Sequence, residues 1–228
     1  MGWLEQNLLT LTIFLPTVGA AAILLLKNDQ QQLIRQVALT ASLITFVLSY
    51  LLFKEFQTSA AFQFVVMVPW ISNYGISYHV GIDGISLLLV MLTTFMAPVT
   101  ILSAFDTIHE RVKGFMVALL LMETGLLGVF ASLDLFLFYI FWEAMLIPMY
   151  FIIGIWGGPN RLYASIKFVL FTMLGSLLML VAIIALYSEG EAQLGRYTTN
   201  YLDLVNLNLS TVAQTWMFLA FGLSFAIK

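Results

Sequence analysis

Seven long apolar segments constrain this chain more than any other feature of its sequence. They cover residues 8–26, 33–53, 85–105, 115–132, 135–156, 163–187 and 212–228. A helix needs about 20 predominantly apolar residues to cross the hydrocarbon core of a bilayer, and six of the segments are close to that length. Charged residues make up only 9% of the chain and hydrophobic residues 61%, whereas soluble domains carry roughly 25% charged residues. The sequence therefore predicts an all-α integral membrane protein, folded as a polytopic helix bundle.

Two of the connections between these segments are long, over residues 54–84 and 188–211, and the others are short. Basic residues are more numerous on one side of the predicted bundle than on the other. One side carries Lys27, Arg35, Arg111, Lys113 and Arg161, and the other carries Lys54 and Arg196. Because cytoplasmic loops are enriched in Lys and Arg, we expect the N-terminus and both long connections to lie on the external side.

Several classes of function are excluded or disfavoured by composition. The chain has no cysteine, which removes disulfides, thiolate metal sites and cysteine nucleophiles. His79 and His109 lie between apolar segments without a second ligand at helical spacing, so we interpret them as loop residues rather than metal ligands. A net charge of −3 without a basic tract gives no footprint for nucleic acid. The first apolar segment lacks a small-residue cleavage site and is expected to remain as a membrane helix.

Glu143 is the most informative single residue, because it lies in the middle of the apolar segment 135–156. A charge at the centre of a membrane helix costs roughly 2.5 to 3.5 kcal/mol on insertion scales, so such residues usually face a bundle interior and serve a function. Pro148 follows in the same segment and cannot donate a backbone hydrogen bond to the carbonyl of Ala144. A kink and a free, wettable acceptor beside a carboxyl group suit a proton or ion path. The alternative for Pro148 is a role in helix packing alone.

Three further charges fall within apolar segments. Glu123 is in the middle of the fourth segment, where it is either functional or a neutral carboxyl bonded to a neighbouring helix. Lys167 is only four residues inside the sixth segment and could instead extend to the interface as an anchor. Lys228 is about sixteen residues into the seventh segment, too deep for such an escape, which favours a functional role. A lysine in lipid is no natural end for a chain, so we expect these 228 residues to be a fragment of a longer polytopic subunit.

Four strings together resemble a known family. They are VGIDGISLLLVMLTTF (80–95), FWEAMLIPMYFIIGIWGG (141–158), RLYASIKFVLFT (161–172) and FLAFGLSFAIK (218–228). These motifs are similar to the family of subunit M, called chain 4 in mitochondria, an antiporter-like proton-pumping subunit of NADH:quinone oxidoreductase (respiratory complex I). The resemblance extends from about Pro69 to the end and is less diagnostic before it.

The resemblance implies roles for individual residues. Glu143 matches the family's key mid-membrane glutamate, and Lys228 matches its lysine at the break of a discontinuous helix. Glu123 resembles a second, less critical glutamate, and Lys167 matches a basic position of the sixth helix. The family fold has two inverted helical repeats, each with one broken helix. We therefore expect residues 1–84 to form an N-terminal two-helix region with an external loop. Residues 85–228 would form the first antiporter-like repeat, truncated in a broken seventh helix.

The resemblance also implies a function in which a change of pairing moves a proton. Glu143 would be ionised beside a protonated Lys228, and it would take up a proton when that cation is displaced. NADH, FMN, iron-sulfur clusters and a quinone would be used by other subunits, since this sequence carries no dinucleotide fingerprint or cofactor ligand set. The expected partners are other membrane-arm subunits, including neighbouring antiporter-like subunits, and the lipid bilayer of a bacterial plasma membrane. The alternatives are a multisubunit cation/proton antiporter, a hydrogenase-linked or photosynthetic complex, and a purely structural membrane scaffold.

Overall fold

The computed structural model describes residues 3–59 and 61–228, with side chains described from residue 7 onward, and it is mostly helical. Its helices are α1 Trp3–Leu25, α2 Gln31–Glu55, α3 Gly84–Thr107, α4 Val112–Ala131, α5 Leu135–Ala144, α6 Leu146–Trp156, α7 Arg161–Leu194, α8 Tyr201–Leu204 and α9 Thr211–Ile227. Within the described residues, six helices are long and apolar enough to cross a membrane, when Leu135–Trp156 is counted as one span. The shorter apolar helix α9 is the seventh predicted segment. The predicted helical membrane bundle is confirmed.

The long connection 54–84, which we expected to be an external loop, contains an antiparallel β-hairpin. Its strands are β1 Gln63–Ile71 and β2 Ile76–Ile82, joined by a 3-10 turn at Ser72–Tyr74. Both strands are rich in β-branched and aromatic residues, which favour extended structure. The turn ends at Gly75 with φ +65°, and a Cβ there would overlap the backbone of Tyr197. Only glycine fits this position, because it needs both a left-handed conformation and a close backbone approach.

Helix α7 is 34 residues long and continues beyond the apolar segment that predicted it. The extra residues, 188–194, read SEGEAQL and include Glu, Ala, Gln and Leu, which favour helix. Gly195 then stops the helix with φ +66°, in the left-handed position that is common just after a helix C-terminus. At about 1.5 Å per residue α7 is longer than the hydrocarbon core is thick, so one end of it projects beyond the membrane.

The interior of the bundle is built from two hydrophobic clusters. One joins α1, α2, α3, α4 and α5 to the hairpin, with Leu9, Val80, Ile82 and Leu127 at its centre. The other joins the opposite ends of α1, α2, α3 and α4. Short polar contacts cross between helices: the hydroxyls of Ser49 and Thr94 lie 2.6 Å apart, and Thr17 donates to Thr124 at 2.9 Å. Small and hydroxylated residues at such interfaces allow membrane helices to approach closely.

The two long connections meet at one end of the bundle. The amide of Leu133 donates to the carbonyl of His79 at 2.8 Å, and the amide of Tyr201 donates to the carbonyl of Leu133 at 2.8 Å. The hairpin and the α7–α9 connection are therefore both fastened to the short turn between α4 and α5. Which side of a membrane this end faces remains a prediction.

At the other end of the bundle, two cations of the predicted cytoplasmic side bind helix ends. The Lys113 ammonium donates to the carbonyls of Leu24 and Leu26 at 3.0 and 2.7 Å, and the Arg35 guanidinium donates to the carbonyl of Ile108 at 2.8 Å. Cations at these positions satisfy carbonyls that have no partner within their own helix.

Candidate functional site

The span that carries Glu143 is interrupted at Met145, which separates α5 from α6. Pro148 is buried in the first turn of α6, where a missing N–H is tolerated. Pro16 and Pro98, in contrast, lie inside the uninterrupted helices α1 and α3. A proline alone therefore does not separate a helix here. The amide of Met145 closes α5 by donating to the carbonyl of Glu143, while Pro148 has no N–H for the carbonyl of Ala144.

Asp134 fixes the other end of α5 and was missed in the sequence. Its side chain is 0% exposed, and Oδ1 accepts from the amides of Phe136 and Leu137 at 3.0 Å each. Its Oδ2 accepts from the amide and hydroxyl of Ser77 at 3.0 and 3.3 Å, and from the Thr199 hydroxyl at 2.6 Å. Asp134 thus caps α5 and binds the hairpin and the α7–α9 connection at once. The detectable signal was an aspartate immediately before an apolar run, a common helix start.

Lys228 lies at the opposite, carbonyl end of α5. Its ammonium donates to the backbone oxygen of Trp142 and sits 4.3 Å from the centroid of the Trp142 ring. The C-terminal end of a helix carries a partial negative charge, so a cation is favourable there. Helix α5 therefore has an anionic side chain at its N-terminus and a cation near its C-terminus, both of the sign that stabilises its dipole.

Glu143 follows Trp142 in sequence, and it is close enough to the Lys228 ammonium to interact with it electrostatically. Its carboxyl group forms no ion pair with Lys228. Within the described part of the chain, the ion pair found is between Arg196 and Asp203. Glu143 is partly buried, and its Oε1 is a buried atom without a hydrogen-bond partner in the described residues. The sequence-based pairing of Glu143 with Lys228 thus corresponds to a close but indirect arrangement, with Trp142 holding the ammonium.

Glu123 lies apart from this group. Its side chain is 3% exposed on α4, and neither carboxyl oxygen has a hydrogen-bond partner within the described residues. It lines a cavity of about 250 Å³ whose walls come from α3 and α4, including Thr93, Met96 and Thr100. The alternative of a neutral carboxyl bonded to a neighbouring helix finds no such bond in this part of the chain. A buried carboxyl that opens into a cavity can hold or release a proton there.

Lys167 is on an exposed face of α7, and its ammonium lies 5.8 Å from the centroid of the Tyr163 ring. Its other neighbours are apolar: Ile166, Leu170, Phe171 and Leu174. The structure does not bring it to Glu143. Its surroundings suit both a contact with a further membrane helix and the interfacial anchor that the sequence left open.

His79 is buried in β2 rather than in an irregular loop, with 3% of its surface exposed. Burial lowers the pKa of His79 from its ordinary value, while Asn200, Asp134 and Asp203 act in the opposite direction. The imidazole is therefore held neutral as part of the junction between hairpin and α7–α9 connection. No group of three or more His, Cys, Asp or Glu in the described residues is arranged to hold a metal ion.

The fold is that of an antiporter-like membrane subunit. Residues 132–228 match the family described as NADH:quinone oxidoreductase/Mrp antiporter, TM. The chain is 45% identical over 235 residues to NADH-quinone oxidoreductase subunit M of Rhodobacter capsulatus, covering 98% of this chain and 45% of that protein. The chain thus spans about half the length of the curated relatives it matches.

Solved structures agree with this assignment. A chain of respiratory complex I from Thermus thermophilus with bound NADH superimposes with a TM-score of 0.80 at 33% identity, over 96% of this chain and 43% of that chain. The Mrp complex from Dietzia sp. DQ12-45-1b shares the fold, with a TM-score of 0.78 at 16% identity over 95% of this chain and 23% of that one. The resemblance to subunit M of NADH:quinone oxidoreductase drawn from the motifs is confirmed.

Proposed function

We propose that this chain is part of a proton-translocating membrane-arm subunit of an NADH:quinone oxidoreductase. In this role it carries protons through a central glutamate and lysine path, while NADH, FMN, iron-sulfur clusters and a quinone react in other subunits. Its partners are other membrane-arm subunits, including neighbouring antiporter-like ones, in a bacterial plasma membrane. The high identity to subunit M across nearly the whole chain supports this function.

The single observation that carries the proposal is the position of Lys228 at the carbonyl end of α5, where its ammonium contacts Trp142, the residue before Glu143. An ammonium that moves from this position onto Glu143 favours the ionised form of the carboxyl group, and its withdrawal favours the protonated form. Movement of the cation toward or away from Glu143 therefore drives proton release or uptake. The carbonyl of Ala144, which Pro148 cannot satisfy, gives water an acceptor beside the carboxyl group.

Glu123 and Lys167 take secondary positions in the same path. Glu123 offers a buried carboxyl in its own cavity, on the α3 side of α4 rather than beside Lys228. Lys167 is exposed on α7, where it would meet the part of the path contributed from outside this chain. Both are proposed as proton-transfer groups of lower importance than Glu143 and Lys228.

The direct experiment replaces Glu143→Gln in the complete complex. NADH-driven proton uptake into vesicles should fall by about a hundredfold, the lower range for a positioned acid–base group, while the assembled complex is retained. The control is Glu55→Gln, which removes a carboxylate exposed at the end of α2. Glu123→Gln should reduce uptake less than Glu143→Gln. Unchanged proton uptake in assembled Glu143→Gln enzyme would contradict the proposal.

A subunit of a multisubunit cation/proton antiporter is the second candidate, supported by the family description and by the fold of the Dietzia Mrp complex. A subunit of a membrane-bound hydrogenase is the third candidate, because it could use the same glutamate and lysine path. Co-purification separates the three: flavin and iron-sulfur subunits indicate NADH:quinone oxidoreductase, nickel-iron subunits a hydrogenase, and small membrane subunits alone an antiporter. The sequence identity to the Thermus complex I chain, about twice that to the Mrp chain, favours the first.

A further inference from the structure

Trp142 makes two contacts with the same ammonium group. The Lys228 ammonium lies 4.3 Å from the centroid of the Trp142 ring and also donates to the Trp142 carbonyl. Among aromatic side chains the tryptophan face attracts cations best, and the attraction is strongest where water is excluded. A single residue therefore provides both an aromatic face and a backbone acceptor for Lys228.

The Trp142 ring is oriented by packing. It stacks on Phe138 with centroids 5.6 Å apart and meets Phe225 edge-on at 5.3 Å. Phe225 is three residues before Lys228 in the last helical turn of α9, so the element that carries the ammonium also contacts the ring. The indole Nε1 is buried and has no hydrogen-bond partner in the described residues. Buried tryptophans usually form a hydrogen bond through this N–H group. Here the contact of the ring with the cation is made through the ring face instead.

Glu143 is the competing site for the same cation. It follows Trp142 in sequence, and its Oε1 is buried without a hydrogen-bond partner among the described residues. It forms no ion pair with Lys228 within the described chain. One ammonium thus has two neighbouring places to go, the tryptophan face and the carboxylate. In this structure it occupies the first.

We propose that Trp142 is a positioning residue that holds the Lys228 ammonium apart from Glu143, so that Glu143 can keep its proton until the lysine leaves the ring. This inference rests on the proposed function and adds the position of the lysine in the proton-loaded state. When the ammonium moves from the ring to Glu143, the carboxyl gives its proton to water in the path and becomes a carboxylate paired with Lys228. The return of the ammonium to the ring restores a proton from water to Glu143.

The test uses the complete complex in vesicles and compares Trp142→Leu with Trp142→Phe. The readout is the infrared band of the protonated Glu143 carboxyl, identified by its loss in Glu143→Gln, together with protons taken up per NADH oxidised. In Trp142→Leu, the equilibrium of the Lys228 ammonium between position 142 and Glu143 should shift toward Glu143 by roughly 2- to 30-fold, the range of a cation–π contact. The band of the protonated carboxyl should weaken accordingly. Trp142→Phe, which keeps a weaker aromatic face, should give an intermediate value.

The matched control is Trp156→Leu, which removes a tryptophan from the same membrane span. Trp156 packs on Phe115 and donates to the carbonyl of Glu110, and it lies at the other end of the span from Asp134. This variant should leave the Glu143 band at its normal intensity. If Trp142→Leu fails to assemble, a ring-fluorinated tryptophan at position 142 keeps the shape and weakens the face toward cations, so it should also weaken the band.

An unchanged band in assembled Trp142→Leu, or in the fluorinated enzyme, would overturn the inference. Equal losses in Trp142→Phe and Trp142→Leu would also overturn it, because shape rather than the aromatic face would then matter. A different result would contradict the proposed function, namely proton uptake that survives Glu143→Gln. The infrared band of Glu143 could still respond to changes at Trp142 in that case.

Discussion

Asp134 is a fully buried acidic side chain that forms no ion pair within the described residues, where hydrogen-bond donors surround it. Five hydrogen bonds from two amides of α5, the amide and hydroxyl of Ser77, and the hydroxyl of Thr199 converge on its two oxygens. Buried charges are tolerated when their lone pairs are satisfied in this way. The residue therefore connects three segments of the chain that are far apart in sequence, and it sets where α5 begins.

The substitution Asp134→Asn should be strongly destabilising. An asparagine keeps one acceptor oxygen and turns an NH₂ group toward donors, which leaves buried donors unpaired at a cost of about 3 kcal/mol. Amide hydrogen exchange of the hairpin strands should accelerate by about a hundredfold, since each 1.4 kcal/mol is a factor of ten. Asp203→Asn is the control, because Asp203 binds Arg196 and Thr198 in a more exposed setting. Equal protection of the hairpin in the two variants would contradict this role.

At the level of single residues, the sequence revealed the costly groups but not their partners. Glu123, Glu143 and Lys228 could be identified because charges are rare in apolar segments. The contact of Lys228 with Trp142 could not, since the two residues are 86 positions apart and meet only through the packing of α9 on α5 and α7. Asp134 carries a readable helix-start signal but lies between apolar segments, so it does not stand out as an intramembrane charge.

Among the elements, α5 is unusual in being a ten-residue helix that ends within a membrane span. Close contacts hold it against α4: a Cβ on Gly125 would approach the Met145 side chain to 2.5 Å, and one on Gly128 would overlap the Phe141 ring. These glycines allow α4 and α5 to lie near each other. The interruption at Met145 therefore occurs where the span is packed tightly, and Pro148 lacks the N–H that would otherwise donate to the carbonyl of Ala144.

Replacing Pro148→Ala should join α5 and α6. The restored amide at position 148 could donate to the Ala144 carbonyl and remove the free acceptor beside Glu143. We expect proton uptake to fall about tenfold or more without loss of stability, and the new amide to be protected from hydrogen exchange. Pro98→Ala in the continuous helix α3 is the matched control and should leave proton uptake unchanged. Normal uptake in Pro148→Ala enzyme with a continuous helix would contradict the role of the interruption.

The elements themselves were largely predictable, and the exceptions have physical reasons. Apolar length located the membrane spans, because a bilayer leaves a chain few alternatives to helix. The hairpin was not predicted because the connection 54–84 was interpreted only as an external loop, although β1 and β2 are rich in β-branched and aromatic residues. The end of α7 was placed too early, because residues 188–194 are polar yet favour helix.

For the whole molecule, the two ends of the bundle differ in construction. At one end the hairpin, the α4–α5 turn and the α7–α9 connection are fastened together around Asp134 and His79. At the other end, Lys113 and Arg35 bind the carbonyl ends of helices. The Glu143, Trp142 and Lys228 group lies along the span that begins at the fastened end. A rigid frame at that end would leave the interrupted span as the element able to respond to a moving cation.

The central claim is that Glu143 and Lys228 act as one unit in proton transfer. The most direct measurement is proton uptake per NADH oxidised in vesicles that contain the complete complex as Glu143→Gln, Lys228→Met or both. Groups that act as a unit lose their function once, so the double variant should be no worse than the more impaired single variant. Losses that multiply in the double variant would mean that the two residues act independently, and would contradict the account.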